Sequence, residues 1–253
     1  MPTDEVIIGL FCIIDEELGS VKQHAQAKLH PSEVVTLMVV FSAKGGQYRA
    51  FYRWILYNYR NLFPNAPHYS RLLRLFRTHA HLCDRFLAHL SLLSIVDTYG
   101  IELIHPRREG RSEAQLGRKG KSNGRWIIGI KWAVLINQRG EIVDWCWDTA
   151  NEHDNTFREL VLAYQDETIS FSDLGFRKKG YPPENFHYCQ KGEWNDRYLI
   201  ECVFRWITDK FHAKRMFHRV DKYLEMRLRA LAAAFNILLK MSGYSYTMTW
   251  FEL

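Results

Sequence analysis

The pattern of apolar residues changes near residue 90, and this change limits the folds open to the chain more than any other feature. Upstream of it, apolar residues cluster at helical spacing, as in residues 34–41 between Ser32, a residue type that caps helices, and Gly45, a type that ends them. Downstream of it, β-branched and aromatic residues dominate. The sequence therefore predicts two parts, an all-helical region over residues 1–90 and an α/β domain over residues 91–253.

The order of the predicted elements after residue 90 indicates a mixed sheet. A strand near residues 90–104 precedes a hairpin, whose strands over residues 126–137 and 142–147 are joined by a short turn that contains glycine. A short helix, two short strands and two helices are predicted to follow. A sheet that is led by a hairpin and flanked by helices fits an RNase H-like α/β layout.

Charge and composition narrow the choice of partner and compartment. The net charge of +6 and the isoelectric point of about 9.0 favour a polyanionic partner. We expect no membrane association, because no apolar run approaches the roughly 18 to 20 residues that a spanning helix needs. The 5 cysteines form an odd, scattered set without metal-binding spacing, which is typical of a reduced, cytoplasmic protein.

Three acidic residues fall where a carboxylate metal site would need them. Asp97 and Asp173 each follow a β-prone run, and Glu201 lies in a segment with a helical apolar stripe. Carboxylates at neighbouring strand tips and on an adjacent helix can hold Mg²⁺ for phosphodiester chemistry. Simpler interpretations exist: a strand-end aspartate is usually a turn residue, and Glu201 between Arg197 and Arg205 is typical of a surface ion pair.

With these segments identified, the chain resembles bacterial insertion-sequence transposases of the DDE type, over nearly its whole length. The resemblance implies a helical N-terminal region followed by an RNase H-like catalytic domain. The segments that carry it are Val96-Asp97-Thr98, Asn151-Glu152-His153-Asp154, Ser172-Asp173-Leu174-Gly175-Phe176, and the pair Arg197 and Glu201 preceded by Trp194.

The resemblance implies a reaction, a cofactor and partners. Asp97, Asp173 and Glu201 would ligate two Mg²⁺ ions, for which Mn²⁺ can substitute. Water would cleave double-stranded DNA at the transposon ends, and the freed 3′ hydroxyl would then attack target DNA. Because transposition pairs two ends, two copies of the chain are expected on DNA, associated with the bacterial nucleoid.

Basic residues supply the candidate DNA contacts. The family's third motif ends in a lysine, but Thr208 occupies that position here, so Arg205 and Lys210 are the candidate replacements. Arg197 is the candidate for positioning a phosphate. The basic stretch after residue 104 is predicted to be a loop that contacts the DNA backbone. The remaining candidates are Arg107, Arg108, Arg118, Lys119, Lys121, Arg125, Arg71 and Arg74.

Two further hypotheses remain open from the residues alone. One is a non-catalytic DNA-binding protein, a decayed or domesticated relative that kept its basic surface, and Thr208 favours it. The other is a metal-dependent nuclease without strand transfer, which has the same sequence features.

Two local interpretations complete the sequence-based expectations. Asp154 is predicted to cap a following helix, because a helical pattern begins immediately after it. The four tryptophans of the predicted hairpin are expected to lie in the core rather than to form stacking surfaces, and they are Trp126, Trp132, Trp145 and Trp147.

Overall fold

The structure is a computed structural model that describes residues 3–122, 124–178, 180, 185–190 and 197–246. The chain divides into two compact units. The helical unit contains residues 1–86, 210–212 and 221–253, and the sheet unit contains residues 87–209 and 213–220. The described α-helices are α1 (Thr3–Leu18), α2 (Pro31–Lys44), α3 (Tyr48–Asn58), α4 (Tyr69–His79), α5 (Glu159–Leu162), α6 (Tyr198–Asp209) and α7 (Asp221–Met241).

Helix α2 forms the centre of the helical unit. Almost all of its side chains are buried, and it packs against α1, α4 and α7. Its start differs from the sequence-based expectation, since His30 is the N-cap and Pro31 begins the helix. The His30 side chain accepts a hydrogen bond from the Ser32 amide, and the Glu33 carboxylate accepts one from the His30 amide at 2.6 Å. Ser32 instead lies in the first turn and donates to Asp15.

A buried arginine joins α7 to the end of α2. Arg227 is 4% exposed and donates hydrogen bonds to the carbonyl oxygens of Phe41, at 2.8 Å, and Ser42. Its guanidinium also lies over the Phe41 ring, 3.8 Å from the centroid. Burial lowers its pKa. The carbonyl groups at the negative end of the α2 dipole stabilise the positive charge of the guanidinium. Helix α7 is therefore an integral element of the helical unit.

The sheet unit is built on six strands in the described residues. Strand β3 lies antiparallel to β1, β2 and β4, while β5 lies parallel to β1 and β6 parallel to β5. The path through the sheet is β2-β3-β1-β5-β6, with β4 also paired to β3. The strands are β1 (Leu93–Ile104), β2 (Arg118–Ser122), β3 (Arg125–Asn137), β4 (Ile142–Thr149), β5 (Ile169–Ser172) and β6 (Phe186–Tyr188).

Helical segments cover both faces of this sheet. On the back face, defined by Val96 and Thr98, a core cluster includes Val161 of α5 and Phe176. On the front face, defined by Asp97 and Tyr99, helix α6 packs against β1, and the rings of Tyr99 and Phe204 lie 5.1 Å apart. Because alternate residues of a strand point to opposite faces, Asp97 lies on the side that α6 covers.

The structure confirms the α/β class: a mixed sheet flanked by helices, with helices in the N-terminal region. Helix α4 ends at His79 and is followed by a 3-10 helix over Ala80–Phe86. Two local expectations were wrong. Residues 221–241, predicted within the C-terminal domain, pack with the N-terminal helices because α7 buries an apolar face against α2. The basic stretch predicted as a loop contains strand β2.

None of the helices in the described residues is both long enough and apolar enough to cross a bilayer.

Candidate active site

The parallel pairing of β1 and β5 brings Asp97 and Asp173 together. Leu93 pairs with Ile169 and Ile95 with Phe171, and the same register continued by two residues places Asp97 beside Asp173. Asp173 directly follows β5, as predicted, whereas Asp97 lies within β1 rather than at its end. The pairing of β5 with β1 stops at Ile95, so β5 is not hydrogen-bonded to β1 next to Asp97.

The carboxyl group of Asp97 is held in an unusual electrostatic environment. Burial raises its pKa from the ordinary 3.8 to about 6, and the nearby charge of Asp173 raises it as well. The Arg197 guanidinium opposes both effects, since its Nη2 donates to Asp97 Oδ2 at 2.7 Å and both side chains are largely buried. The two aspartates therefore repel each other when both are ionised, and Arg197 is the cation that contacts Asp97.

Helix α6 places Glu201 on the same stripe as Arg197. Residues 197, 201, 204 and 208 follow one another at spacings of four, three and four, which is one face of a helix. Arg197 contacts Asp97, while Phe204 and Thr208 contact Tyr99. Glu201 thus lies between two positions that touch β1, yet its side chain is exposed and forms no ion pair or hydrogen bond within the described residues.

The donor set fits a hard divalent cation in part. Asp97 and Asp173 offer carboxylate oxygens, the ligand type that Mg²⁺ prefers, from neighbouring positions in the sheet. Within the described residues, however, no three histidine, cysteine or acidic side chains are gathered closely enough to hold a metal ion. The two aspartates could therefore begin such a site, and Glu201 would have to reach it from the exposed face of α6.

Asp173 also has a local structural role. Its Oδ1 atom accepts a hydrogen bond from the Gly175 amide at 2.8 Å and so caps the short 3-10 helix Leu174–Phe176. A side chain at position 175 would lie 2.9 Å from this oxygen. The turn that follows β5 thus orients the Asp173 carboxylate, and glycine at position 175 leaves room for it.

A second charged cluster lies beside the aspartates and was missed in the sequence. Lys131 of β3 is 9% exposed, and its Nζ donates to the Asp154 carboxylate at 2.9 Å and to the Glu152 carbonyl at 2.7 Å. Asp154 also accepts a hydrogen bond from Thr98, the neighbour of Asp97, and approaches Gly175. The helix-cap role predicted for Asp154 is wrong: it is an ion-pair partner. A lysine inside an apolar strand was the available signal, because buried cations need partners.

The residues proposed for the third motif have differing environments. Arg205 is mostly exposed and pairs with Asp209 at 3.6 Å. Thr208, at the position where the family has lysine, donates to the Phe204 carbonyl and shares a 2.6 Å hydrogen bond with the Tyr99 hydroxyl. Lys210 belongs to the helical unit. Trp194 lies outside the described residues.

The remaining basic candidates are all exposed, as a nucleic-acid surface requires. Arg107 and Arg108 lie in the 3-10 helix after β1, and Arg71 and Arg74 lie on the solvent side of α4. The last group lies on strand β2 and at the start of β3, and it consists of Arg118, Lys119, Lys121 and Arg125.

Comparisons with known proteins leave the family open. No protein-family model matches this chain, and neither a curated protein nor a solved structure shows significant similarity to it.

The environment of Asp97 generates a pH prediction for the metal-free protein. We expect its carboxyl to titrate near pH 6 in a side-chain ¹³C NMR experiment, with the signal assigned from its loss in Asp97→Asn. Asp173→Asn should lower the midpoint because a like charge is removed, and Arg197→Gln should raise it because a cation is removed. Asp166→Asn, an exposed control, should leave it unchanged.

The sign of the accompanying stability change follows from linkage. The folded protein binds a proton at Asp97 between pH 3.8 and about 6 that the unfolded chain has released, so this group's contribution to stability falls as the pH rises through that window. A midpoint near 3.8, or one that Asp173→Asn does not move, would contradict the close placement of the two aspartates.

The Lys131–Asp154 pair generates a stability prediction. Asp154→Ala should lower the free energy of unfolding by about 2 kcal/mol, because a mostly buried ammonium group loses its anion. Lys131→Met in the Asp154→Ala background should recover part of that loss, as measured by urea denaturation in a double-mutant cycle. Strictly additive losses in the double variant would show that the two side chains do not interact.

Proposed function

We propose that the protein is a DNA transposase of the DDE type, which cleaves phosphodiester bonds at insertion-sequence ends and joins them to target DNA. The observation that carries this proposal is the placement of Asp97 beside Asp173 by the parallel pairing of β1 and β5, with Arg197 in contact with Asp97 at the start of α6. Two of the three carboxylates that the resembled family requires are thus close together, and Glu201 lies one helical turn after Arg197 on α6.

The sheet supports an RNase H-like catalytic domain within this proposal. Strand β3 runs antiparallel to both β1 and β4, while β5 and β6 run parallel to β1. This is the hairpin-led mixed sheet expected from the sequence. The exposed basic groups on β2 and α4 support DNA as the partner, since cations that contact phosphates must be accessible.

Each residue of the site then has a role. Asp97 and Asp173, with Glu201 as third ligand, would hold Mg²⁺ or Mn²⁺, which would activate the attacking oxygen and stabilise the leaving one. Arg197 neutralises Asp97 in the metal-free protein and, once released from it, can bind a phosphate bidentately. Lys131 and Asp154 connect the Thr98 hydroxyl with the turn after β5, and so position the two aspartates relative to each other.

A non-catalytic DNA-binding protein is the second candidate, and two observations favour it. The described residues contain no assembled three-carboxylate group, and Arg197 already satisfies Asp97. Thr208 packs against Tyr99 in place of the lysine that the family uses. A nuclease without strand transfer has the same site and differs only in the final joining step.

The test is metal-dependent nicking of DNA that flanks the chain's own coding sequence. With Mg²⁺ or Mn²⁺, we expect nicks and joined products that EDTA abolishes. Asp173→Asn should lower the nicking rate at least about a thousandfold while DNA binding remains, because the lost metal contacts are worth several kcal/mol in the transition state. Asp166→Asn is the matched control and should retain full activity.

The outcomes separate the candidates. DNA binding without nicking under any metal would support the non-catalytic protein, and nicking without joined products would support the nuclease. Equal nicking by the wild type and Asp173→Asn would overturn the carboxylate assignment.

A further inference from the structure

Trp126 is exposed, contrary to the expectation that all four hairpin tryptophans lie in the core. It is 64% exposed, whereas Trp132, six residues along the same strand and on the same face, is fully buried. Trp126 is the second residue of β3, next to the turn that joins β2 and β3. Trp126 therefore lies on the same face of β3 as the buried Trp132, but at the end of the strand, where that face is open to solvent.

Two lysines flank this ring, and an arginine precedes it in the chain. Lys121 of β2 pairs directly across from Trp126, and Lys119 Nζ lies 5.6 Å from the centre of the ring system. Arg125, at the start of the strand, is exposed and projects from the opposite side of the strand. Lys119, Lys121 and Arg125 form no ion pair within the described residues. We call Trp126 with these three cations the Trp126 platform.

A fourth cation lies near the platform. The backbone of Lys214 accepts a hydrogen bond from the Glu102 amide at 3.0 Å, which fixes this segment beside β1. Its Nζ lies 4.5 Å from the centre of the Tyr99 ring. Burial lowers the pKa of Lys214, and the charge of Arg125 lowers it further. Lys214 therefore places a half-buried positive charge over Tyr99, which points to the same face of the sheet as Trp126.

The platform lies on the same face of the sheet as the two aspartates. Val134 of β3 pairs with Asp97, and Trp126 precedes Val134 by an even number of residues, so the side chains of Trp126 and Asp97 point to the same side. Eight residues of strand separate them, which corresponds to about 26 Å. Tyr99 and Lys214 lie between these two points.

We propose that the Trp126 platform binds an unpaired nucleotide of DNA, whose base stacks on Trp126 while Lys119, Lys121 and Arg125 contact the flanking phosphates. A protruding ring can stack only on a base that has lost one of its own stacking neighbours, so the platform distinguishes opened DNA from an intact duplex. This inference rests on the proposed function, since it assigns DNA as the polyanion, and it adds that the strand is locally opened about 26 Å from the reacting phosphate.

The test measures binding of the full chain in EDTA, so that cleavage plays no part. Fluorescence anisotropy would compare a labelled duplex, the same duplex with a central run of mismatches, and the corresponding single strands of DNA and RNA. We expect Trp126→Ala to weaken binding to mismatched and single-stranded DNA about tenfold, the loss of one stacked base, while duplex affinity stays within about twofold. Trp126→Phe should restore most of the preference.

Two control variants make the result specific. Tyr57→Ala removes an aromatic side chain that is 91% exposed in the helical unit, and it should leave the ratio of mismatched to duplex affinity unchanged. Replacement of Lys119 and Lys121 together by Gln should weaken all DNA forms alike and reduce the slope of affinity against salt by about 2.

Several results would overturn the proposal. An equal effect of Trp126→Ala on every form of DNA would do so, as would no effect at all. Tighter binding of RNA than of DNA, with the same dependence on Trp126, would assign the platform to RNA instead. The nicking assay tests the proposed function separately. Metal-dependent nicking, together with unchanged DNA binding by Trp126→Ala, would contradict the role of the Trp126 platform but not the transposase. Trp126-dependent DNA binding without nicking would contradict the transposase but not the platform.

Discussion

The burial of the Asp97 carboxyl, in contact with Arg197 and near Asp173, is the constraint on which the candidate site depends. Parallel pairing of β1 and β5 sets two carboxylates side by side, and burial of Asp97 removes the water that would otherwise screen them. The chain tolerates this arrangement because Arg197 reaches Asp97 from the start of α6. A pair of acids kept together at a cost in stability is typical of a functional site rather than of a structural one.

The molecule uses buried and exposed cations in different ways. Arg227 and Lys131 are buried, and each donates hydrogen bonds to carbonyl or carboxylate oxygens of its own unit. The cations of β2 and of the start of β3 are exposed and have no such partners within the described residues. Since the first group stabilises the fold and the second does not, the second group is where a polyanion can bind without disturbing the structure.

Periodicity and turn chemistry were sufficient to predict the sheet and most of its strands. The hairpin of β3 and β4, the strand that carries Asp97 and helix α6 all occur where their patterns indicated, because each combines a clear apolar pattern with a turn or helix signal. The sequence likewise predicted that Asp97 and Asp173 are carried by strands or their ends and Glu201 by a helix.

Long-range packing could not be predicted in the same way. Helix α7 is amphipathic in any context, and its contacts with α2 and with the 3-10 helix Ala80–Phe86 assign it to the helical unit. Strand β2 is rich in lysine, arginine and glycine, and it becomes a strand only because β3 offers it an edge. The partnership of Lys131 with Asp154 joins residues on separate elements, and the exposure of Trp126 follows from its place next to a turn.

We propose that Asp97 and Asp173 together form a site for one or more divalent cations, and Mn²⁺ binding followed by electron paramagnetic resonance would test this. We expect saturable Mn²⁺ binding by the wild-type protein, competed by Mg²⁺, lost in both Asp97→Asn and Asp173→Asn, and weakened in Glu201→Gln. Binding that is absent from the wild type, or that survives in the Asp97→Asn/Asp173→Asn double variant, would contradict it.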